Sequence, residues 1–242
     1  MKIAIITPYH KESTEFLKKC HQSVIAQNVP ADHFFVADGF PNNEVSNWGI
    51  KHISLPQAHG DCGDTPRGIG GIIANVEGYD FIAFLDADNW FHQNHLSSLL
   101  NLWEQTGADI CTSFRTFHTQ SGELMAITEN SEETLKHVDT SCYFWHRNAF
   151  DSLDIWLKIP KNLHPIGDRV FLSGLRHKKY RIFSTKKRTV AYRSQYKEHY
   201  LSAKIEVPRE FKENVGAESI KWLTTTAGMK EAVNKLGFFP LG

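Results

Sequence analysis

The sequence carries no excess of charge: among its 242 residues, 27 Lys and Arg balance 27 Asp and Glu. No bulk field therefore draws nucleic acid or an anionic lipid surface, and any partner has to be argued from a site. Cysteine is scarce and scattered. Cys20, Cys62, Cys111 and Cys142 form no CxxC pair, so neither a zinc knuckle nor a disulfide scaffold is indicated, and a reducing cytoplasm is the expected setting. Long apolar runs are missing too. Nothing approaches the roughly 20 apolar residues of a membrane span, and the short run in MKIAIITPYHKE falls below a signal-peptide core. Peripheral association with a membrane stays open. The glycine-rich "GDCGDTPRGIGG" lacks the G-K-[ST] of a P-loop, and its glycines neither keep the dinucleotide spacing nor follow the first strand. What is present is 41% hydrophobic and 22% charged residues, an ordinary composition for a globular chain able to bury a substantial core.

Lys2 to Thr7, His33 to Ala37, Lys51 to Leu55 and Tyr79 to Leu85 read as apolar strands. A helix capped by Ser13 or Thr14 separates the first two, with Phe16, Leu17, Cys20, Val24 and Ile25 on one face and an end at Asn28–Pro30. A second helix is expected with Thr65 as N-cap and Pro66 at its first position, burying Ile69, Ile72, Ile73 and Val76. Asn89-Trp90-Phe91 is expected to open the turn into a third, running from about His92 to Gly107 with Leu96, Leu99, Leu100 and Trp103 at core spacing. This alternation predicts an α/β fold with a mostly parallel sheet covered on both faces. The rhythm then changes. Ala108–Thr119, Glu123–Thr128 and Val138–His146 read as strands, Arg147–Lys158 as a short helix, and another helix starts near Gly167. Tyr180–Ser184 and Thr189–Arg193 read as short strands and Pro208–Gly237 as helix. No repeat, low-complexity tract or linker divides the chain.

Ligands of parallel α/β sheets bind beyond the carboxyl ends of the strands. Four features lie there: Thr7-Pro8, Asp38, the Asp61–Arg67 segment, and Asp86 with Asp88. Asp86-Ala87-Asp88 supplies hard oxygen ligands suited to Mg2+ or Mn2+, although Asp and Asn at a turn can equally cap the next helix. Arg67 can face a diphosphate from the first turn of its helix, or the segment can serve close packing at Gly68, Gly70 and Gly71. Asp168 in "HPIGDRVF" is either a charge at a helix start or a general base. His92 and His95 share a helical face but lack a third ligand, and are expected in solvent. His199 in "YRSQYKEHY" is a metal ligand, a phosphate contact or a surface residue. Arg193 and the cluster Lys186, Lys187, Arg188 can bind phosphate or sit in solvent. Trp90, Tyr143, Trp145 and Trp156 are expected in the core rather than stacked on a sugar.

Taken in order, these features resemble the inverting family 2 glycosyltransferases of GT-A fold. "IAIITPYHKE" is similar to their opening strand, and "FFVADGFPNN" to their V-D-D-G-S-x-D segment, with Asp38 on the second aspartate. "FIAFLDADNWF" resembles the stretch carrying D-x-D, "VDTSCYFWHRNAFDSL" the acceptor-side strand and helix, and "IGDRVFLSGLRHKKYRIF" the segment with the catalytic base. The resemblance covers about residues 1–195. It implies a nucleotide base, typically uracil, held by Asp38 in a pocket lined by Thr7, Pro8 and Tyr9, with Arg67 on the nucleotide or diphosphate. It implies Asp86 near the ribose or metal, Asp88 on a divalent Mn2+ or Mg2+, and Asp168 as the base that deprotonates the acceptor. A UDP-sugar would be the donor; a glycan, lipid-linked or protein acceptor stays open. About 1–107 would form the donor half, 108–195 the acceptor and catalytic half, and 196–242 a helical tail of one domain. Three departures stand out: Ala37 replaces the first aspartate, Gly167 replaces the usual glutamate before Asp168, and no Q-x-x-R-W helix is present. The rival readings are a sugar-1-phosphate nucleotidyltransferase, which should carry a glycine-rich loop where "TPYHKES" stands, and a non-catalytic nucleotide-sugar-binding protein.

Overall fold

A computed structural model describes residues 1–127, 131–213 and 215–241. The elements in chain order are β1 (Ile3–Tyr9), α1 (Thr14–Ile25), β2 (Asp32–Ala37), β3 (Lys51–Ser54), α2 (Asp64–Val76), β4 (Phe81–Phe84), β5 (Trp90–Phe91), α3 (His95–Thr106) and β6 (Ile110–His118). They continue with β7 (Leu124–Met125), β8 (Tyr143–His146), α4 (Ile155–Lys158), α5 (Gly167–His177), β9 (Ile182–Arg193), α6 (Lys197–Ala203), α7 (Gly216–Leu223) and α8 (Thr226–Leu236). The strands form a sheet in the order β3-β2-β1-β4-β8-β6-β9-β5, with β7 paired to β6. β1 to β4 pair in parallel, β8 lies antiparallel between β4 and β6, and β9 runs parallel to β6.

The parallel half follows from its apolar runs. Ile3, Ala4, Ile5 and Ile6 of β1 and Phe81, Ile82, Ala83 and Phe84 of β4 are all buried, as strands covered on both faces must be. The register sets Ile6 beside Phe84 and Tyr9 beside Ala37, so Asp38 and Asp86 leave the sheet at the same edge. No helix among the described residues is long and apolar enough to cross a membrane.

Helix α2 overturns the expected stripe. Val76 is 81% exposed and Ile72 is also exposed, while Gly68, Gly70, Gly71 and Ala74 are buried. The helix lies so close to the sheet that only small residues fit beneath it. A Cβ on Gly70 would stand 2.6 Å from Cγ2 of Ile6 and 3.0 Å from Cγ2 of Val36. Gly70→Ala is therefore expected to destabilise by about 1–3 kcal/mol, whereas Val76→Thr on the outer face stays within about 0.5 kcal/mol; urea unfolding distinguishes them. The cap differs as well. Gly63 is the N-cap in a left-handed conformation, Pro66 falls in the first turn rather than at its start, and the Asp61 carboxylate accepts from the Thr65 N–H (2.9 Å).

Other boundaries move for similar reasons. Ile25, expected on the buried face of α1, is 67% exposed. Trp90 and Phe91 form a strand paired with Val190 and Ala191, so α3 begins only at His95. His95 is buried against Phe91 (3.9 Å between centroids) and bonded to Thr189 Oγ1 (2.8 Å), not solvent-facing. The two short strands near the end are one, β9, whose register slips around Phe114 of β6. The tail splits into α7 and α8 because Thr225 caps the second, its hydroxyl accepting from Gly228 N–H. The strand expected over Glu123–Thr128 is only Leu124–Met125; Thr128 itself, like Asn214 in the tail, lies outside the described residues.

Candidate active site

Arg67 is the centre of the edge at which β1, β2 and β4 end. It is buried, 5.4 Å from the Trp156 ring centroid, and its Nη2 donates to Asp86 Oδ1 (2.5 Å). Its Nη1 donates to the Cys62 carbonyl (2.8 Å) and lies 3.5 Å from Asp64 Oδ1. Burial opposes its charge, but the Asp86 and Asp64 carboxylates outweigh that and hold it firmly protonated. Asp64 in turn pairs with His164 Nδ1 (2.7 Å). Burial pushes the Asp64 carboxyl up to about 6, despite His164 and Arg67 beside it. This bears on a departure in the sequence: a Cβ on Gly167 would stand 3.0 and 3.1 Å from the two Asp64 oxygens, a tight fit that favours glycine before Asp168 as long as Asp64 keeps its place.

The Asp86-Ala87-Asp88 turn is held from both sides. Ser141 Oγ accepts from the Asp86 N–H (3.2 Å) and faces the Asn89 amide (3.4 Å), while Asn89 Oδ1 accepts from the Arg193 N–H (2.8 Å). Asp86 has Arg67 as its cation. Asp88 has none within ion-pairing distance among the described residues; its side-chain partner is the Gln195 amide (3.3 Å). Burial, then the charges of Asp86 and Glu12, push its carboxyl up to about 7. Two oxygen donors one residue apart, with an unbalanced negative charge, match the donor set by which Mg2+ or Mn2+ is held on one or two carboxylates plus substrate phosphate. No three His, Cys, Asp or Glu side chains converge as a metal cage among the described residues. His199 does not join Asp86 and Asp88 in such a set; its Nδ1 meets Ser194 Oγ (2.7 Å) and its ring packs against Phe117.

Asp168 opens α5 and is only part-exposed. One carboxylate oxygen accepts from the Arg169 N–H (2.7 Å) and the other is bonded to His137 Nε2. Burial alone would raise its acid; the His137 charge and hydrogen bond, with Arg169, outweigh it and hold Asp168 below the usual carboxylate range. His137 Nδ1 lies 3.3 Å from Nη2 of Arg115, which can only donate. His137 thus presents Nε2 to Asp168 with Nδ1 turned to Arg115. Arg115, buried in β6, also bonds Asp139 (3.0 Å) and Glu132 (3.0 Å), and Asp139 accepts from the Ser141 N–H (2.9 Å). One chain of contacts thus joins Asp168 through His137, Arg115, Asp139 and Ser141 to Asp86.

The remaining expected residues are placed more deeply. Thr7 is buried with its hydroxyl on His33 Nε2 (2.8 Å), and Tyr9 is buried with its hydroxyl on His52 Nε2 (2.6 Å). Pro8 is buried between them. The Asp38 carboxylate accepts from the N–H groups of His59 (3.0 Å) and Gly60 (3.2 Å) and meets His59 Nδ1 (2.7 Å). Those bonds overcome burial and lower its acid, so Asp38 fastens the His59–Gly60 loop across the end of β2. Arg188 donates to the Arg115 carbonyl (2.5 Å), and Tyr143, Trp145 and Trp156 belong to the core. A segment of the tail crosses the mouth: Lys212 N–H donates to Gln195 O (2.6 Å) and Gln120 donates to Glu210 O (2.7 Å), around a cavity of about 270 Å³.

Sequence reasoning missed Asp64, Arg115, Glu132, His137, Asp139 and His164 as site residues. One signal was available. An arginine inside the otherwise buried strand ICTSFRTFH has to find carboxylates, because an unpaired buried charge is costly.

The family model described as Glycosyl transferase family 2 matches residues 4–163, ending before Asp168. The fold is similar to crystal structures of S. aureus TarS. The complex with UDP aligns at TM-score 0.65 and 15% identity over 84% of this chain and 63% of that one. The complex with UDP-GlcNAc gives 0.62 and 16% over 84% and 61%. TarS 1–349 without a stated ligand gives 0.63 and 14% over 98% and 69%. This chain therefore spans less than two thirds of the first two TarS chains. At these identities the likeness is one of fold, and it bears out the expected GT-A α/β architecture. No curated protein matches the sequence.

Proposed function

Because the chain belongs to glycosyl transferase family 2, we propose that it moves a sugar from a nucleotide diphosphate sugar to an acceptor hydroxyl, with inversion at the anomeric carbon. The supporting observation is the connected edge: an unbalanced Asp86/Asp88 pair beside Arg67, linked by contacts to an Asp168 held ionised. UDP is the first nucleotide to test, since TarS, which shares the fold, has been crystallised with UDP and with UDP-GlcNAc.

In this reading Asp168 accepts the proton of the acceptor hydroxyl as that oxygen attacks the anomeric carbon and the bond to the diphosphate oxygen breaks. A single displacement of this kind inverts the centre. His137 keeps the carboxylate oriented and charged. Asp88, with Asp86, would hold a Mn2+ or Mg2+ ion, whose charge would offset that developing on the departing diphosphate. Arg67 fixes Asp86 and supplies a permanent positive charge at the same edge. Asp38 acts through the His59–Gly60 loop, with Thr7, Pro8 and Tyr9 forming the wall under the nucleotide base. His199 has no part. Donor binding falls to about residues 1–107 and the acceptor and base to about 108–195, with the tail from about 196 crossing the mouth. Four free cysteines suit a reducing cytoplasm.

Thermal shift with UDP, GDP and CDP, each with and without Mn2+, tests the reading. A ligand at one hundred times its Kd adds about 2.7 kcal/mol, or roughly 5–10 °C in Tm for a chain of this length. UDP with Mn2+ should give that shift. If no nucleotide moves Tm under either condition, the proposal fails; a shift without UDP release from any UDP-sugar favours the non-catalytic binding protein.

A further inference from the structure

On the far side of the Asp88 turn lies a cavity of about 790 Å³ that the proposed donor site does not use. Lys18, Lys19, Gln22, Gln120, Ser121 and Arg193 line it, with Glu15 and Phe16 at its edge. Three cations thus face one carboxylate. Lys19 Nζ stands 3.5 Å above the centre of the Trp90 ring, and the Arg193 guanidinium lies 5.3 Å from the same ring and 4.2 Å from Phe16. Two like charges therefore share one indole.

Neither charge has an ion-pair partner among the described residues, although Asp88 and Glu15 act on Arg193 from farther off. Among the described residues no carboxylate lies within 4.0 Å of Lys19 or Arg193, and Lys19 has no hydrogen-bond acceptor. Burial, then the Arg193 charge, lowers the Lys19 acid, with Glu15 opposing. Arg193 spends Nε on the Asp88 carbonyl (3.0 Å) and Nη1 on the Gln120 carbonyl, which aims the guanidinium and leaves N–H donors over. The Lys19 ammonium and the remaining N–H donors of the buried Arg193 guanidinium thus both face this cavity.

Gly122 marks the point where these groups meet. A Cβ there would stand 3.1 Å from Lys19 Nζ, 3.8 Å from Trp90 Cη2 and 3.9 Å from Arg193 Nη1. The backbone at φ +95° holds that side clear of any side chain. Both donors are within reach of one small oxoanion entering from the cavity, and both would make the short, charge-assisted bonds that such anions favour.

We propose that this cavity binds a phosphate-class oxoanion between Lys19 and Arg193, with the Trp90 and Phe16 rings beneath. Gln120 lines both this cavity and the one at the mouth beside Asp88, so the anion sits next to the reaction edge. Assigning it to a phosphate carried by the acceptor rests on the transferase reading; the anion site itself does not.

The test titrates inorganic phosphate at constant ionic strength in EDTA, following the Trp90 indole N–H by NMR. Saturation at millimolar or lower concentration is expected. Lys19→Gln should weaken it at least tenfold, and Lys19→Arg should retain it, which separates lost charge from lost folding. No saturable shift, or the same affinity in Lys19→Gln, overturns the site. A second titration uses glycerol 3-phosphate. Equal binding supports a phosphate ester as the natural ligand, and exclusion of the ester supports the free anion. The shift of Tm by UDP and Mn2+ should be the same in Lys19→Gln and the parent chain, so failure here leaves the donor reading standing, and the reverse.

Discussion

Once a UDP-release screen has identified a donor, Asp168→Asn is expected to lower kcat by about 10²–10⁴-fold, the usual worth of a positioned general base. The Tm shift given by UDP with Mn2+ should not change. Asparagine suits the test because it keeps the shape, and its one side-chain oxygen can still accept from one of the two donors, His137 Nε2 and the Arg169 N–H, that the two carboxylate oxygens now meet separately. What it removes is the ability to take a proton. The competing reading is electrostatic: Asp168 lies in the first turn of α5, where a negative charge favours the helix. That effect is worth about 0.3–1 kcal/mol and would appear as a small loss of stability with turnover intact. Full turnover in Asp168→Asn removes the general base from the proposal. The structure also gives a reason to expect a charged carboxylate at neutral pH. Burial raises its acid, yet His137 and Arg169 outweigh burial. His137 is aimed by Arg115, whose own partners Glu132 and Asp139 belong to the same network.

The parallel half of this fold was legible because its strands are buried on both faces and so read as unbroken apolar runs. Strand ends were legible for the same reason: a run such as FIAFL cannot continue through Asp86 and Asp88. Helix α2 was misread because apolar residues were taken to mark the buried face. Its isoleucines sit on the sides and outside, while glycines meet Ile6, Val36 and Leu153. Close approach of backbone to sheet replaced side-chain burial, and a period of hydrophobicity does not record that. Trp90 and Phe91 follow a loop, and only their pairing with Val190 and Ala191, far along the chain, makes them a strand. The network around Asp168 was hidden for a comparable reason. His137, Asp139 and Arg115 meet because β8 is inserted antiparallel between β4 and β6. No local spacing encodes that insertion. The order of the Asp86-Ala87-Asp88 and Asp168 segments along the chain was readable; the residues that contact them were not.

Arg67→Leu is the substitution expected to cost most in stability, about 3–5 kcal/mol, as when one partner of a buried ion pair is removed. The loss comes from what stays behind. Among the described residues the Asp86 carboxylate loses its hydrogen-bond donor, and the Asp64 carboxylate, buried to 1% exposure, keeps only His164. The penalty must therefore depend on pH. With Arg67 present, the Asp64 acid already stands at about 6, above its ordinary value, because burial dominates. Removing the guanidinium takes away an influence that lowers it, so the acid rises further. A carboxyl whose folded value lies above its unfolded one destabilises the fold at high pH, and that destabilisation fades as pH falls and the group takes up its proton. Urea unfolding should accordingly show the larger difference between Arg67→Leu and the parent chain at pH 8, and a smaller one at pH 5. Adding Asp64→Asn to Arg67→Leu should recover part of the loss at pH 8 and little at pH 5, because the two sites are coupled directly. A cost below about 1 kcal/mol that is the same at both pH values would mean that Arg67 acts by packing on Trp156 alone. In that case the positive charge at this edge would no longer explain how two aspartates can end a buried strand.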